Sequence, residues 1–146
     1  MNLLQKHFLS DSPEATEQFG EKLAMEFPVG ATVLLFGELG AGKTTLTRGI
    51  CKKFGIDSVK SPSFVLVNIY ANDDITIYHI DLYRVPELDY VTAGEIAEYL
   101  WDDDAIKIVE WAERLTDELL PKNCIAIKIE RISDNERQIT TESINN

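Results

Sequence analysis

The sequence predicts an α/β fold, a mainly parallel central sheet with antiparallel additions and helices on both faces, on three observations. The runs Ala31–Phe36 and Ala105–Val109 are apolar without alternation, as strands covered on both faces are. Stretches of helical periodicity alternate with the strand-like runs, the pattern of a parallel α/β sheet. The runs Phe64–Tyr70 and Ile75–Ile80 are joined only by the turn Asn72-Asp73-Asp74, so they add an antiparallel hairpin.

Taken in order, Ser12-Pro13-Glu14 opens the first helix: a capping serine, proline at the first helical position and an acid in the first turn. Ala15, Phe19, Leu23 and Phe27 recur every four residues as its apolar stripe, and Pro28 and Gly30 end it. The strand Ala31–Phe36 runs into a glycine-rich turn. Lys43–Phe54 is then helical, with Leu46, Ile50 and Phe54 on one face and Gly55 as its C-cap. After the hairpin, Pro86 and Gly94 punctuate a mixed stretch that ends in a short helix around Glu95–Leu100. Ala105–Val109 is the second buried strand. Cys124–Ile129 alternates clearly, and Arg137–Thr141 reads as a last strand at the sheet edge. The 146 residues fit one domain, 1–146, with Glu142–Asn146 as a frayed polar tail.

Apolar residues make up 45% and charged residues 27%, which excludes a disordered or fibrous chain. No apolar run approaches the ~18 residues of a membrane span. No signal-peptide pattern is present, and Cys51 and Cys124 read as two reduced core thiols, so a cytoplasmic location is expected. The net charge is −11, and residues 81–118 carry 12 acids against 3 bases. Proteins that grip nucleic acid unaided present basic patches, so direct tRNA or DNA binding is not expected. These acids either solvate the surface or meet a protein partner with a basic face.

The strongest motif is Gly37-Glu38-Leu39-Gly40-Ala41-Gly42-Lys43-Thr44, a match to GxxxxGK[ST] between a buried strand and a helix start. Its glycines let successive backbone N–H groups point inward at phosphate oxygens, and the helix N-terminus adds partial positive charge. Lys43 would bridge the β- and γ-phosphates and Thr44 would offer a hydroxyl to Mg²⁺. A site of this kind needs a further carboxylate at a strand end. Glu110 directly follows Ala105–Val109 and is the candidate, as against a simple surface acid. Trp111 beside it either shields the site or fills the core. His79 and Asp81 alternate on one strand and so point the same way. Asp81 either orients the attacking water or sits in the metal's outer shell, and His79 alone reads as a satisfied structural histidine. Ser61-Pro62-Ser63 is either a turn or a loop that senses the γ-phosphate. Arg84 is an arginine finger in cis or the partner of a nearby acid.

Four motifs together, GELGAGKTT at Gly37–Thr45, KSPSF at Lys60–Phe64, HIDLYR at His79–Arg84 and VEWAE at Val109–Glu113, resemble the TsaE family, also called YjeE. They stand in the family's order and spacing, and the resemblance covers essentially the whole chain. It implies a single-domain P-loop NTPase fold that binds ATP and Mg²⁺ and hydrolyses ATP slowly. It further implies association with TsaD and TsaB, the pair that transfers a threonylcarbamoyl group to the adenosine next to the tRNA anticodon. TsaE does not perform that transfer, and its ATPase drives or resets the pair between turnovers. tRNA is then met only through the complex, no membrane is involved, and the chain alone is a monomer or weak dimer. By motif, Gly37, Glu38, Leu39, Gly40, Ala41, Gly42, Lys43, Thr44 and Thr45 form the phosphate cradle. Thr44 and Glu110 serve the metal, with Trp111 beside them. Asp81, Lys43 and Glu110 are the catalytic set, and Ser61-Pro62-Ser63-Phe64 is the switch-like loop. Ser63 stands where the family often has threonine, which keeps the hydroxyl. The family's N-terminal segment lies near the nucleotide, which makes Ser12 and Thr16 candidates for the adenine side, though Ser12 as an N-cap explains that residue equally well.

The runner-up reading is a small-molecule P-loop kinase. Such kinases close an arginine-bearing lid over the acceptor, and no arginine-rich segment follows the phosphate loop. A nucleotide switch without turnover is the third reading.

Overall fold

The computed structural model describes residues 5–60, 66–85 and 87–145. Among them seven strands form one sheet in the order β1-β7-β6-β2-β5-β4-β3. The elements are β1 (Lys6–Ser10), α1 (Pro13–Ala24), β2 (Thr32–Phe36), α2 (Lys43–Lys53), β3 (Val67–Ala71), β4 (Thr76–Asp81), α3 (Tyr90–Leu100), β5 (Ile106–Glu110), β6 (Asn123–Arg131) and β7 (Arg137–Asn145). The four central strands β6, β2, β5 and β4 are parallel, while β1, β7 and β3 add antiparallel pairings. This is the expected α/β sheet.

The alternation within β2 shows how both faces are covered. Val33 and Leu35 pack with Leu23 of α1 and Leu46 and Ile50 of α2 on one face. Leu34 packs with Ile96 and Leu100 of α3 on the other. All these side chains are buried, so β2 reads as a continuous apolar run. No helix among the described residues is long and apolar enough to cross a membrane.

Several elements differ from the sequence expectation. β1 is not among the strands the sequence predicts. It is an edge strand whose side chains alternate between half-buried and exposed, and it pairs with β7 from the far end of the chain. β7 is therefore an interior strand rather than an edge. It also continues past Thr141 through Glu142 to Asn145, because β6 offers a nine-residue ladder that opposes Cys124 to Ile144. α1 stops at Ala24 instead of reaching Phe27, since Pro28 disfavours helical geometry before it and the chain closes with i→i−3 turns. Its buried face is Thr16, Gly20, Leu23 and Ala24. Phe19 turns aside and stacks on Phe8 of β1 at 4.6 Å. α3 begins at Tyr90, five residues before the expected Glu95, because the Asp89 side chain caps it by accepting from the Thr92 N–H at 2.7 Å. Ser12 caps α1 as predicted, accepting from the Ala15 N–H at 3.1 Å. Asn72 organises the hairpin turn through the N–H groups of Asp74 and Ile75. Ser61, Pro62, Ser63 and Phe64, with Val65 and Pro86, lie outside the described residues.

α1 and α2 approach at two glycines. A Cβ on Gly20 would come within 2.6 Å of the Leu46 carbonyl oxygen, and one on Gly49 within 2.0 Å of the Glu17 carbonyl oxygen. The helix that starts at the glycine-rich loop is thereby held against α1 at backbone distance.

Both cysteines are free and buried. Burial pushes the Cys51 thiol up to about 12. At pH 8 about one Cys51 in ten thousand is then thiolate, the form that reacts. Iodoacetamide at pH 8 is expected to leave Cys51 unmodified in the folded chain and to alkylate it once denaturant is added. Rapid labelling of folded protein, read by mass spectrometry, would contradict this.

Candidate functional site

The loop between β2 and α2 lies at the C-terminal end of the parallel strands, the end at which open α/β sheets bind ligands. Gly37 has no room for a side chain: a Cβ there would meet the Ile129 carbonyl oxygen of β6 at 2.7 Å. Gly42, the residue before α2, has φ 109° and ψ 19°, a left-handed backbone that glycine adopts without strain. Glu38 and Leu39 form the exposed tip of the loop, while Ala41 is buried.

Three of the loop's carbonyls are tied by cationic side chains, and the Ala41 N–H donates to the Glu38 carbonyl at 3.1 Å, while the amides where the loop enters α2 are open. Lys43 Nζ donates to the Gly37 carbonyl at 2.6 Å. Arg137 of β7 donates from Nε to the Ala41 carbonyl at 2.9 Å and from a terminal nitrogen to the Gly40 carbonyl at 3.3 Å. The N–H groups of Lys43, Thr44 and Thr45 find no acceptor among the described residues, and Gly42 brings no side-chain cap. Unpaired donors at a helix N-terminus, carrying the positive end of the helix dipole, suit an anion such as phosphate.

Lys43 is 5% exposed. Burial lowers its pKa, and the nearby charges of Glu110, Asp81 and Glu113 oppose that shift. Its ammonium lies 4.1 Å from the centre of the Trp111 ring. Trp111 itself has φ 59° and ψ 42°, the one left-handed residue other than glycine among those described. A bulky residue held there marks a strained position that its surroundings enforce. Tyr83 packs on the Trp111 ring at 5.2 Å, and the Arg114 guanidinium lies 5.2 Å from its centre while donating to the carbonyls of Leu82 and Tyr83.

Asp81 and Glu110 end the parallel strands β4 and β5 side by side in register. Desolvation raises the Asp81 pKa. The Tyr83 N–H, donating to Asp81 Oδ1 at 2.9 Å, opposes the rise, the Glu110 charge adds to it, and His79 and Lys43 oppose it. Glu110 is 4% exposed, and its Oε2 lies 2.5 Å from Nε2 of the fully buried His79. The other imidazole nitrogen, Nδ1, meets the Tyr70 hydroxyl at 3.1 Å.

The structure thus gathers Lys43, Asp81, Glu110 and Trp111 at the phosphate loop. Thr44 is half-buried in the first turn of α2. Ser12 and Thr16 line a cavity of about 50 Å³ beside Gly42 and Thr45. Their hydroxyls already have partners: Ser12 caps α1, and Thr16 bonds Ser10 at 2.7 Å. Arg84 is exposed in the turn after β4. Sequence reasoning missed Arg137, which lies 96 positions from its carbonyl partner in a polar strand without any motif. It also missed the Tyr70 contact, which only strand register reveals. Mg²⁺ keeps several waters and takes one or two protein oxygen ligands besides phosphate oxygens, and a hydroxyl and a carboxylate, the groups of Thr44 and Glu110, are donors of that kind.

Fold and site together define a P-loop nucleotide-binding protein. The family model described as "Threonylcarbamoyl adenosine biosynthesis protein TsaE" matches residues 10–139, and the chain belongs to the TsaE family. The tRNA threonylcarbamoyladenosine biosynthesis protein TsaE of Synechocystis is 38% identical over 122 residues, covering 79% of this chain and 75% of the relative. Its counterpart in Aquifex aeolicus is 36% identical over 140 residues, covering 93% and 95%. The crystal structure of YdiB from Bacillus subtilis superposes with a TM-score of 0.74 at 28% identity, over 97% of this chain and 86% of that one.

Proposed function

We propose that this chain is a Mg²⁺-dependent ATPase that serves threonylcarbamoyladenosine modification of tRNA in the cytoplasm, acting with TsaB and TsaD to drive or reset the transfer machinery. The observation that carries the reading is the convergence at one strand end: open helix amides, a buried lysine and two adjacent carboxylates. ATP supplies the phosphoryl group and Mg²⁺ the charge that neutralises it. Lys43 binds the phosphate end, and Thr44 and Glu110 hold the metal side. Asp81, its pKa raised by burial, accepts or orients the proton of the attacking water. Trp111 and Tyr83 wall the site from solvent. Ser12 and Thr16 stand on the nucleoside side of the loop. The acidic balance favours contact with tRNA-handling proteins over contact with tRNA itself.

The test is ATP hydrolysis by the purified chain, first alone and then with TsaB, TsaD and tRNA. A slow basal rate that rises on adding the TsaB–TsaD pair is expected. A rate indifferent to those proteins but raised by a small-molecule acceptor would replace this reading with that of a P-loop kinase.

A further inference from the structure

Three polar side chains form a diagonal across the face of the sheet that α1 and α2 cover: Tyr70 on β3, His79 on β4 and Glu110 on β5. Register explains the line. Tyr70 opposes Ile77, two residues before His79, and His79 lies beside Ile108, two residues before Glu110. Residues two apart share a sheet face, and diagonal neighbours on adjacent strands are within reach of long side chains.

The contacts run without a gap. Glu110 Oε2 meets His79 Nε2 at 2.5 Å, and His79 Nδ1 meets the Tyr70 hydroxyl at 3.1 Å. That hydroxyl also lies 2.9 Å from the Lys60 carbonyl oxygen and accepts from the Lys60 N–H at 3.2 Å. A neutral imidazole that donates from Nε2 to the Glu110 carboxylate accepts at Nδ1, so the Tyr70 hydroxyl is the donor there. The chain of bonds therefore starts at fixed main chain and ends on the carboxylate.

Glu110 depends on this chain. A carboxylate so buried is costly unless it is hydrogen-bonded. Lys43 spends its ammonium on the Gly37 carbonyl, and among the described residues His79 is the hydrogen-bond partner of the Glu110 side chain. Oε1 is left without a partner among those residues.

We propose that His79 and Tyr70 are positioning residues for Glu110, fixing Oε2 so that Oε1 is presented to the nucleotide site. The proposal rests on the reading that Glu110 works in ATP turnover. Groups that orient a metal-side ligand typically change metal affinity or activity by about 10–100-fold when lost.

The test compares Tyr70→Phe, His79→Gln and His79→Ala with wild type, with Glu110→Gln as reference. Three quantities are read: the Mg²⁺ concentration for half-maximal ATP turnover, the KM for ATP, and the downfield NMR signal of the hydrogen-bonded imidazole proton between His79 and Glu110. Tyr70→Phe keeps the ring and loses only the hydroxyl. It is expected to raise the Mg²⁺ requirement or lower kcat about tenfold, leave the KM for ATP within about twofold, and displace the downfield proton. His79→Gln can still donate to Glu110 and is expected to retain more turnover than His79→Ala. Loss of thermal stability alone, with Mg²⁺ dependence and the downfield proton as in wild type, would overturn the proposal. So would equal turnover in His79→Gln and His79→Ala. If Tyr70→Phe does not fold, the two His79 variants decide the matter. Wild-type turnover in Glu110→Gln would instead remove the role given to Glu110, a failure separate from that of the positioning chain.

Discussion

Lys43→Ala is expected to abolish ATP turnover while leaving the chain folded. The ammonium is the cation at the mouth of the phosphate loop, and among the described residues no carboxylate lies within ion-pair distance of it. Its pKa is depressed by burial, so in the free protein the charge is held against its solvation preference. Removing it costs the fold the bond to the Gly37 carbonyl and the contact with the Trp111 ring, and it relieves the burial of a charge, so the net change in stability is small. Removing a preorganised donor from a site where negative charge develops costs about 10²–10³ in rate, and a full charge gives no less. ATP hydrolysis should fall by at least about a hundredfold, with a circular dichroism melt close to wild type. Turnover at the wild-type rate would refute the assignment of the phosphate loop.

The largest loss of stability is expected from Gly49→Ala. The added Cβ would sit 2.0 Å from the Glu17 carbonyl oxygen and 2.8 Å from the Glu17 carbonyl carbon, so backbone has to move and no side chain can yield instead. Overpacking of this kind costs typically about 1–3 kcal/mol, and more where only backbone can give. Alanine's better helix propensity returns about 1 kcal/mol at most. A net loss of about 2 kcal/mol corresponds to a melting point roughly 4–8 °C lower in a chain of this size. Gly94→Ala is the control. Gly94 is also mid-helix, in α3, but a Cβ there meets nothing within 4 Å. The same exchange should therefore stabilise at Gly94 and destabilise at Gly49. A Gly49→Ala melt at or above wild type would mean that α1 and α2 do not meet at backbone distance.

What the sequence disclosed was local. Ser12-Pro13, the unalternating runs of β2 and β5 and the contiguous Gly37–Thr44 motif each carry their signal within a few residues, and each stands where it was expected. What it concealed needs a partner far along the chain. Lys6–Ser10 has little apolar character and becomes a strand only because β7 pairs with it. Gly20 and Gly49 look like weak points in two helices until the helices are laid together. Tyr90 and Val91, 94% and 69% exposed, gave no inward stripe from which to read the start of α3. At the site, Lys43, Asp81, Glu110 and Trp111 were legible because each stands in or beside a recognisable strand end or loop. Tyr70 and Arg137 were not, because their contacts depend on which strands are neighbours.

The place of β7 between β6 and β1 also sets an order in time. Lys6 bonds a residue 135 positions later, and the loop's Ala41 carbonyl receives its arginine from 96 positions later. On the ribosome β1 and the phosphate loop emerge long before the strand that seats one and braces the other. Such distant pairings fold slowly, since long loops must close before any contact rewards them. The sheet is therefore completed only after translation has delivered β7, and a nascent chain lacking it has the GxxxxGK[ST] residues without their brace.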